Sequence, residues 1–534
     1  MNSVAGLGIL TRLALRRDRI LIAVWAYAFT AVAYASVDAT RKLYPTPGSR
    51  LAFAAGAGSN KATIAMYGPP GDLHTLGGLA LWKLNAWGAV LVAIMSMVIV
   101  NRHTRGDEEA GRLELTGAGA VGRNAALTAG LLTAVLANLI VALLVAIGLG
   151  FAHLPGPGAV AFGLGLAGAG CVFAALTALV AQAAASARST TGIVAGLLAV
   201  AYLLRAVGDT AAHGGWLASL SWLSPIGWAE QIRPFGPLHW WPLAILVLFA
   251  AVVVAAAYRL SAGRDLGAGL LPVRPGPARA AASLAGAFGL AWRLQRGSLL
   301  AWTSAFALGG LLLGAVAGSV GSLVGDSHAA REMFTKLGGH AGLTDAYLAS
   351  VMATLGLLAS VYAVQAALRL RGEEAGQRAE PVLAAATGRI RWAASHLVFA
   401  AAGPAILLAV AGLAAGLTYG AGTGDLGGTV ARLAGSGLAQ VPAAWVAGGI
   451  TAALFGVAPR LAVAAWGILV AFLFLGQFGS LLGLSQWAMN LSPFTHVPKL
   501  PGASFTAVPL LWLALTAALL TAAGLAGLRR RDLA

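Results

Sequence analysis

The chain has 534 residues, of which 59% are hydrophobic and 10% charged, and its formal net charge is +17. With a mean hydropathy of +0.81 there is too little polar surface to coat a soluble globule, so a lipid bilayer is the solvent that suits it. The basic excess is therefore read as membrane topology rather than as nucleic-acid binding, and a single cysteine, Cys171, excludes an intrachain disulfide.

Arg12, Arg16, Arg17 and Arg19 precede the first apolar run, 20–36. That run closes on Ala33-Tyr34-Ala35, which imitates a signal cleavage site, but it is long for a signal core and reads more simply as the first span. Spanning helices need roughly 20 apolar residues each. Such stretches follow at 85–100, 125–152, 159–185, 191–208 and 241–260, then at 298–320, 347–368, 394–420, 433–455, 461–478 and 508–528. The prediction is an all-α polytopic membrane protein with twelve transmembrane helices. Ahead of the first span of each half, residues 7–19 and 284–296 mix arginine with apolar residues and fit an interfacial helix as well as a charged flank.

Most arginines fall in the segments that lie on one side once the N-terminus is placed inside, which puts both termini in the cytoplasm. Four landmarks recur in the same order in both halves. The strongest follows the second span of each: 105–123 reads RGDEEAGRLELTGAGAVGR and 371–389 reads RGEEAGQRAEPVLAAATGR, with nine of 19 positions identical at an offset of 266. The others pair Arg16 to Trp25 with Arg293 to Trp302, Leu223-Ser224-Pro225 with Leu491-Ser492-Pro493, and Arg264-Asp265-Leu266 with Arg531-Asp532-Leu533. Six spans per copy is an even number, so the two six-helix repeats insert in parallel. They are 1–260 and 290–534, joined by a proline-bearing cytoplasmic linker, 261–289.

The acids single out the two matched loops, which hold Asp107, Glu108, Glu109, Glu114, Glu373, Glu374 and Glu380. Arginines there obey the inside rule, but Asp and Glu contribute little to orientation, so the duplicated acids point to a docking surface rather than a passive turn. Glu108 and Arg112, like Glu374 and Arg378, are four residues apart, the favoured spacing for an ion pair on one face of a short amphipathic helix. Elsewhere, Trp216, Trp222, Trp228, Trp240 and Trp241 read as an aromatic belt on the outer side. Arg205, Asp209 and Arg432 lie near span ends and are expected to reach the interface. Asn138, Gln182, Gln365, Gln440 and Gln477 read as helix–helix glue. No chain of intramembrane acids suits a proton relay, the histidines form no metal-like pair, and 56–61 resembles a phosphate loop only superficially, since Asn60 and Ala62 replace its defining residues.

Glu-Glu-Ala-Gly at 108–111 and again at 373–376, Leu-Ser-Pro at 223–225 with Trp228, and 264–271 after the sixth span carry a resemblance. Over its whole length the chain resembles permease subunits of ABC exporters, of the fused twelve-span kind that exports polyketide antibiotics, such as the tetronasin-resistance permeases of actinobacteria. The resemblance implies an interfacial connecting helix first, a coupling helix between spans two and three, and short outer helices between spans five and six. It also implies two copies of a separate ABC ATPase carrying ATP and Mg²⁺, with no cofactor in this chain and no enzyme activity of its own. The docking residues carried over are Glu108, Glu109, Arg112 and Glu114, and in the second copy Glu373, Glu374, Arg378 and Glu380. Gln377 after the second copy's glycine, and Pro381 where the first copy has Leu115, imply a shorter second docking helix and unequal sockets.

The implied function is ATP-driven export of hydrophobic or amphipathic compounds across a bacterial plasma membrane, the partners being the ATPases, membrane lipids and a hydrophobic small molecule, without nucleic acid. A pathway between spans two, five, eight and eleven gives Met95, Ser96, Met97, Tyr202, Met352, Tyr362, Trp466 and Gln477 as lining candidates. The alternative is a twelve-span, ion-coupled secondary efflux transporter, but 106–112 misplaces the aspartate of that class's loop. A lipid-linked sugar transferase would need a catalytic acid in the first outer loop, for which Asp38 beside Arg41 and Lys42 is thin support.

Overall fold

The computed structural model describes residues 3–51, 61–117, 119–211, 215–264, 269, 278–279, 281–284, 286–318, 339–385, 387–478 and 485–532, and every regular element among them is helical. The chain divides into two units, 1–276 and 277–534. Among the described residues, eleven helices are long and apolar enough to cross a membrane, and a shorter apolar helical stretch, Pro459–Leu475, stands at the eleventh of the twelve expected positions.

The first unit contains α1 (Leu7–Leu43), α2 (Lys61–Tyr67), α3 (Leu76–Asn101), α4 (Arg112–Gly117), α5 (Ala125–Phe151), α6 (Gly156–Ala183), α7 (Ala187–Thr210), α8 (Pro225–Glu230) and α9 (Trp241–Ala262). At its centre α6 packs against α3, α5 and α9. Its Gly- and Ala-rich sequence makes this possible, because lipid tails give no hydrophobic drive between helices and close backbone approach must supply dispersion instead. A Cβ on Gly163 would lie 2.5 Å from the Ala142 carbonyl oxygen, so only glycine lets α6 sit this close to α5. Asn138, wholly buried, donates to Ser96 Oγ at 2.8 Å and ties α5 to α3, the glue role its sequence position suggested.

The second unit contains α10 (Ala287–Ala317), α11 (Gly339–Ala375), α12 (Ala379–Ala384), α13 (Arg389–Thr423), α14 (Leu426–Leu438), α15 (Val441–Val457), α16 (Ala465–Phe478) and α17 (Ala507–Arg530). Here α13 packs against α10, α11 and α14, and α15 against α17. The last contact is again a glycine contact: a Cβ on Gly456 would collide with the Gly524 carbonyl oxygen.

Several boundaries differ from the expected ones. Residues 7–19 are not a separate interfacial helix. They form the first turns of α1, a continuous 37-residue helix about 55 Å long, because nothing in 12–20 breaks the backbone hydrogen-bond ladder. The arginine-rich residues from 287 onward likewise run straight into α10. The tenth span is split into α14 and α15 at Ala439 and Gln440, just ahead of Pro442, whose ring suits the first turn of a new helix. Most of the linker, most of 56–61, and the side chain of Gln477 lie outside the described residues.

Candidate functional site: the two charged loops

Each loop begins as an extension of a spanning helix. Past Asn101 the chain winds through one π-helical turn, 102–106, and a short turn of α-helix, 107–109. It then breaks at Gly111, whose φ of 69° is left-handed, and restarts as α4. In the second unit α11 runs to Ala375, breaks at Gln377 with φ of 54°, and restarts as α12. These breaks cancel the spacing argument for the ion pairs. Four residues lie on one face only if the helix is continuous, and here Arg112 bonds Asp107 at 2.9 Å while Arg378 bonds Glu373 at 3.0 Å. The expected Glu108–Arg112 and Glu374–Arg378 pairs are replaced by these.

Glu108 turns inward instead. Its carboxylate meets Arg264 Nη2 at 2.8 and 3.1 Å and Arg105 at 3.1 Å, with its side chain 7% exposed. Glu374 does the same with Arg531, at 2.6 and 2.7 Å to two guanidinium nitrogens, a bidentate fork. The arginine lies just beyond the sixth span of its own unit in both cases. Two of the four repeated sequence landmarks, the acidic loop and the Arg-Asp-Leu motif, are therefore partners in one brace. A second contact doubles it: Arg123 donates to the carbonyls of Ser261 and Arg264, and Arg389 to that of Arg531. A third ties each loop to the region where the fourth span gives way to the fifth, with Arg105 Nε donating to the Ala181 carbonyl near the end of α6 at 2.8 Å and Arg371 donating to the carbonyl of Pro459, just past α15. Arg105 is 1% exposed, so its carboxylate and carbonyl partners are what make its burial tolerable.

The first loop has a further attachment that the second lacks. Asp18 of α1, wholly buried, accepts from Arg102 at 2.6 Å and contacts His103 at 2.6 Å, while Asp107 accepts from Arg17 at 2.9 Å. Glu109 accepts from the Ala187 backbone N–H at 2.8 Å, satisfying one of the orphan donors at the start of α7. In the second unit the place of Asp18 is taken by Gln295, which contacts His396 of α13 at 3.2 Å, and Glu373 pairs within its own loop, with Arg369 at 2.7 Å and Arg378.

The eight residues proposed from sequence thus separate into two groups. Glu108 and Glu374 are brace residues inside their own units, and Glu373 is buried against arginines of its own loop and the helix leading into it. Glu109, Arg112, Glu114, Arg378 and Glu380 are exposed, together with Leu115, which is 78% exposed. The guanidiniums of Arg264 and Arg531 were absent from the sequence-based set, although the shared spacing of the two landmarks carried the signal.

The lining candidates occupy varied surroundings within their own units. Met95 and Ser96 are buried without exposure and Met97 nearly so, Met352 and Tyr362 lie in the second unit's core, and Trp466 is half-buried. Tyr202 donates to the Met66 carbonyl at 2.7 Å. Arg205 and Asp209, expected at the interface, are buried instead. Arg205 has no exposed side-chain surface and shares its Nη1 between Asp209 at 3.6 Å and Glu230 at 3.5 Å, because the loop carrying α8 folds over the end of α7. Arg432 does reach the surface and pairs with Asp345.

A family model described as "Multidrug efflux system permease Rv1217c, C-terminal domain" matches residues 7–260 and 284–529. The chain is 43% identical over 525 residues to the multidrug efflux system permease protein Rv1217c of Mycobacterium tuberculosis (strain ATCC 25618 / H37Rv), an alignment that spans 98% of this chain and 94% of that relative. The resemblance drawn from sequence holds at this level, that of a multidrug efflux permease. With eleven apolar helices of spanning length and full-length similarity to such a transporter, the chain belongs to the Rv1217c family of multidrug efflux system permeases.

Proposed function

We propose that the chain is the permease subunit of an ATP-driven ABC exporter, powered by two copies of a separate ATPase that bind ATP and Mg²⁺ and dock on the loops after α3 and α11. One observation carries this reading: each loop is braced by an arginine–carboxylate pair to the end of the sixth span of its unit and by an arginine–carbonyl contact near the junction of the fourth and fifth. A force applied to such a loop moves several helices as one body, which a passive turn held only by its flanking spans would not do. Buried charged contacts break only at a cost of several kcal/mol, so the loop transmits displacement rather than absorbing it. The docking face is then the exposed set Glu109, Arg112, Glu114 and Leu115, and in the second copy Arg378, Glu380 and Pro381. These loops face the cytoplasm of a bacterial plasma membrane, with both termini on the same side, and the cargo is a hydrophobic or amphipathic drug, polyketide antibiotics among them.

Co-purification from the native host, with mass-spectrometric identification of what accompanies the permease, tests this. Recovery of an ABC ATPase, lost when Glu114 and Glu380 are both reversed to Lys while insertion and yield stay normal, is the expected result. Transport by the permease alone under a proton gradient, without ATP, would replace this reading with that of an ion-coupled secondary transporter.

A further inference from the structure

At the end of the first unit opposite its charged loop, α2, α3, α8 and the turns between them enclose a cavity of about 370 Å³. This lies at the lower end of the range for small-molecule sites, roughly 300–1,000 Å³. Its walls include the rings of Tyr67, Trp82, Phe162 and Phe235, and its one deeply buried charge is Glu230, whose side chain is 7% exposed.

The carboxylate is under-supplied. Two acids, Asp209 and Glu230, share the single guanidinium of Arg205 at 3.6 and 3.5 Å, distances beyond a direct hydrogen bond, while Arg205 Nη2 is spent on the Ala65 carbonyl at 2.8 Å. Neither Glu230 oxygen accepts a hydrogen bond from any described residue. A buried ion in this condition is costly unless a donor or an opposite charge arrives. Both oxygens are shut off from solvent, and the backbone packs directly on them: Gly68, at φ 90°, lies so close that a Cβ there would come within 2.6 Å of Glu230 Oε1, and Trp82 Nε1 donates to the Gly68 carbonyl at 2.9 Å. Burial pushes the Glu230 carboxyl well above the usual range. Arg205 opposes that shift and Asp209 reinforces it.

We propose that this cavity binds aromatic organic cations, with Glu230 as counter-ion and Tyr67, Trp82, Phe162 and Phe235 as the stacking wall. Two carboxylates facing one guanidinium leave negative charge behind this wall for a bound cation to offset, and aromatic faces favour positive charge. The second unit has no such site by sequence: counted from its Leu-Ser-Pro motif, the position of Glu230 holds Pro498. The inference rests on the efflux-permease reading for its cargo but not on ATPase docking.

The test uses the full-length permease in lipid nanodiscs, with ethidium as the probe, read by fluorescence against empty discs and with no ATPase or nucleotide present. Saturable binding is expected, weakened roughly 10- to 100-fold in Glu230→Gln. The groups around Glu230 and its cavity are Tyr202, Arg205 and Asp209 of α7, Tyr67 of α2, and the loop residues Asp72 and Arg233, with Lys83 of α3 over the Tyr67 ring at 5.7 Å. Since a permanent cation must displace the Glu230 proton, its affinity falls by about tenfold per pH unit of acidification below that carboxyl's own range. Phe162→Leu, which removes one aromatic face from the wall without touching a charge, also weakens binding several-fold and carries the test should Glu230→Gln fail to fold. Wild-type affinity in either folded variant, or absence of saturable binding in the wild type, overturns the proposal. ATPase association is scored separately, so failure of this site and failure of the docking reading are told apart.

Discussion

The two units solve one mechanical problem with the same parts and differ in what surrounds them. Each fixes its loop with a glutamate and an arginine just past the sixth span, at nearly identical sequence separations of 156 and 157 residues. Among the described residues, the first adds the buried Asp18 contact with α1 and carries a buried acid beside an aromatic cavity at its far end, features with no described counterpart in the second. The brace is thus the part of the repeat that cannot drift without losing a compensated buried charge. Attachments that serve one unit are free to diverge. The duplication preserves the geometry of the brace, while the remaining surfaces differ.

The sharpest way to break that comparison is to remove the brace in each unit. Glu108→Ala strands the guanidiniums of Arg264 and Arg105 and is expected to destabilise the first unit by about 3–5 kcal/mol. Glu374→Ala costs less, because Arg531 keeps its contact over the Phe455 ring, 4.9 Å from its centroid. Thermal unfolding in detergent measures both, and double-mutant cycles with Arg264→Ala and Arg531→Ala should return similar coupling energies for the two pairs. If only one cycle shows coupling, the braces are not equivalent.

Next in size is the unmatched attachment. Asp18→Asn removes the charge that faces Arg102 and His103 and is expected to cost about 1.5–3 kcal/mol, whereas Gln295→Ala at the matching position costs about 1 kcal/mol. The same unfolding assay compares them, and equal losses would erase the asymmetry between the units. Smaller still is the loop break. Gln377 adopts the left-handed conformation that Gly111 adopts without penalty, so Gln377→Gly should stabilise the second unit by up to about 1 kcal/mol and Gly111→Gln should destabilise the first by a similar amount. Smallest in stability is reversal of the exposed acids Glu114 and Glu380, which leaves the thermal transition unmoved while lowering ATPase association.

Much of this was legible from composition and repetition. Apolar run lengths located the spans because lipid enforces a minimum helix length, and the matched loops stood out because duplicated acids have no topological purpose. The direction in which the acids point was not legible. Helical spacing paired Glu108 with Arg112, yet one left-handed residue at Gly111 redirects the arginine to Asp107 and frees Glu108 for Arg264. A single φ angle therefore decides which acid is a strut and which a surface. The Arg205 cluster was misread for a related reason: proximity to a span end suggests solvent, but Ser221 and α8 fold back over Gly208, where a Cβ would collide with the Ser221 backbone. Long-range coverage of this kind leaves no periodic trace.

The brace also sets an order of assembly. Glu108 is synthesised long before Arg264, so during membrane insertion it has Arg105 as a partner but lacks its bridge to the sixth span until the helix preceding Arg264 has entered the bilayer. A chain halted before Arg264 should display that loop to protease, and one extended past it should protect the loop. Completion of six spans thereby becomes readable from the loop's side of the membrane, and the proposed docking surface takes its final shape only after its own unit is whole.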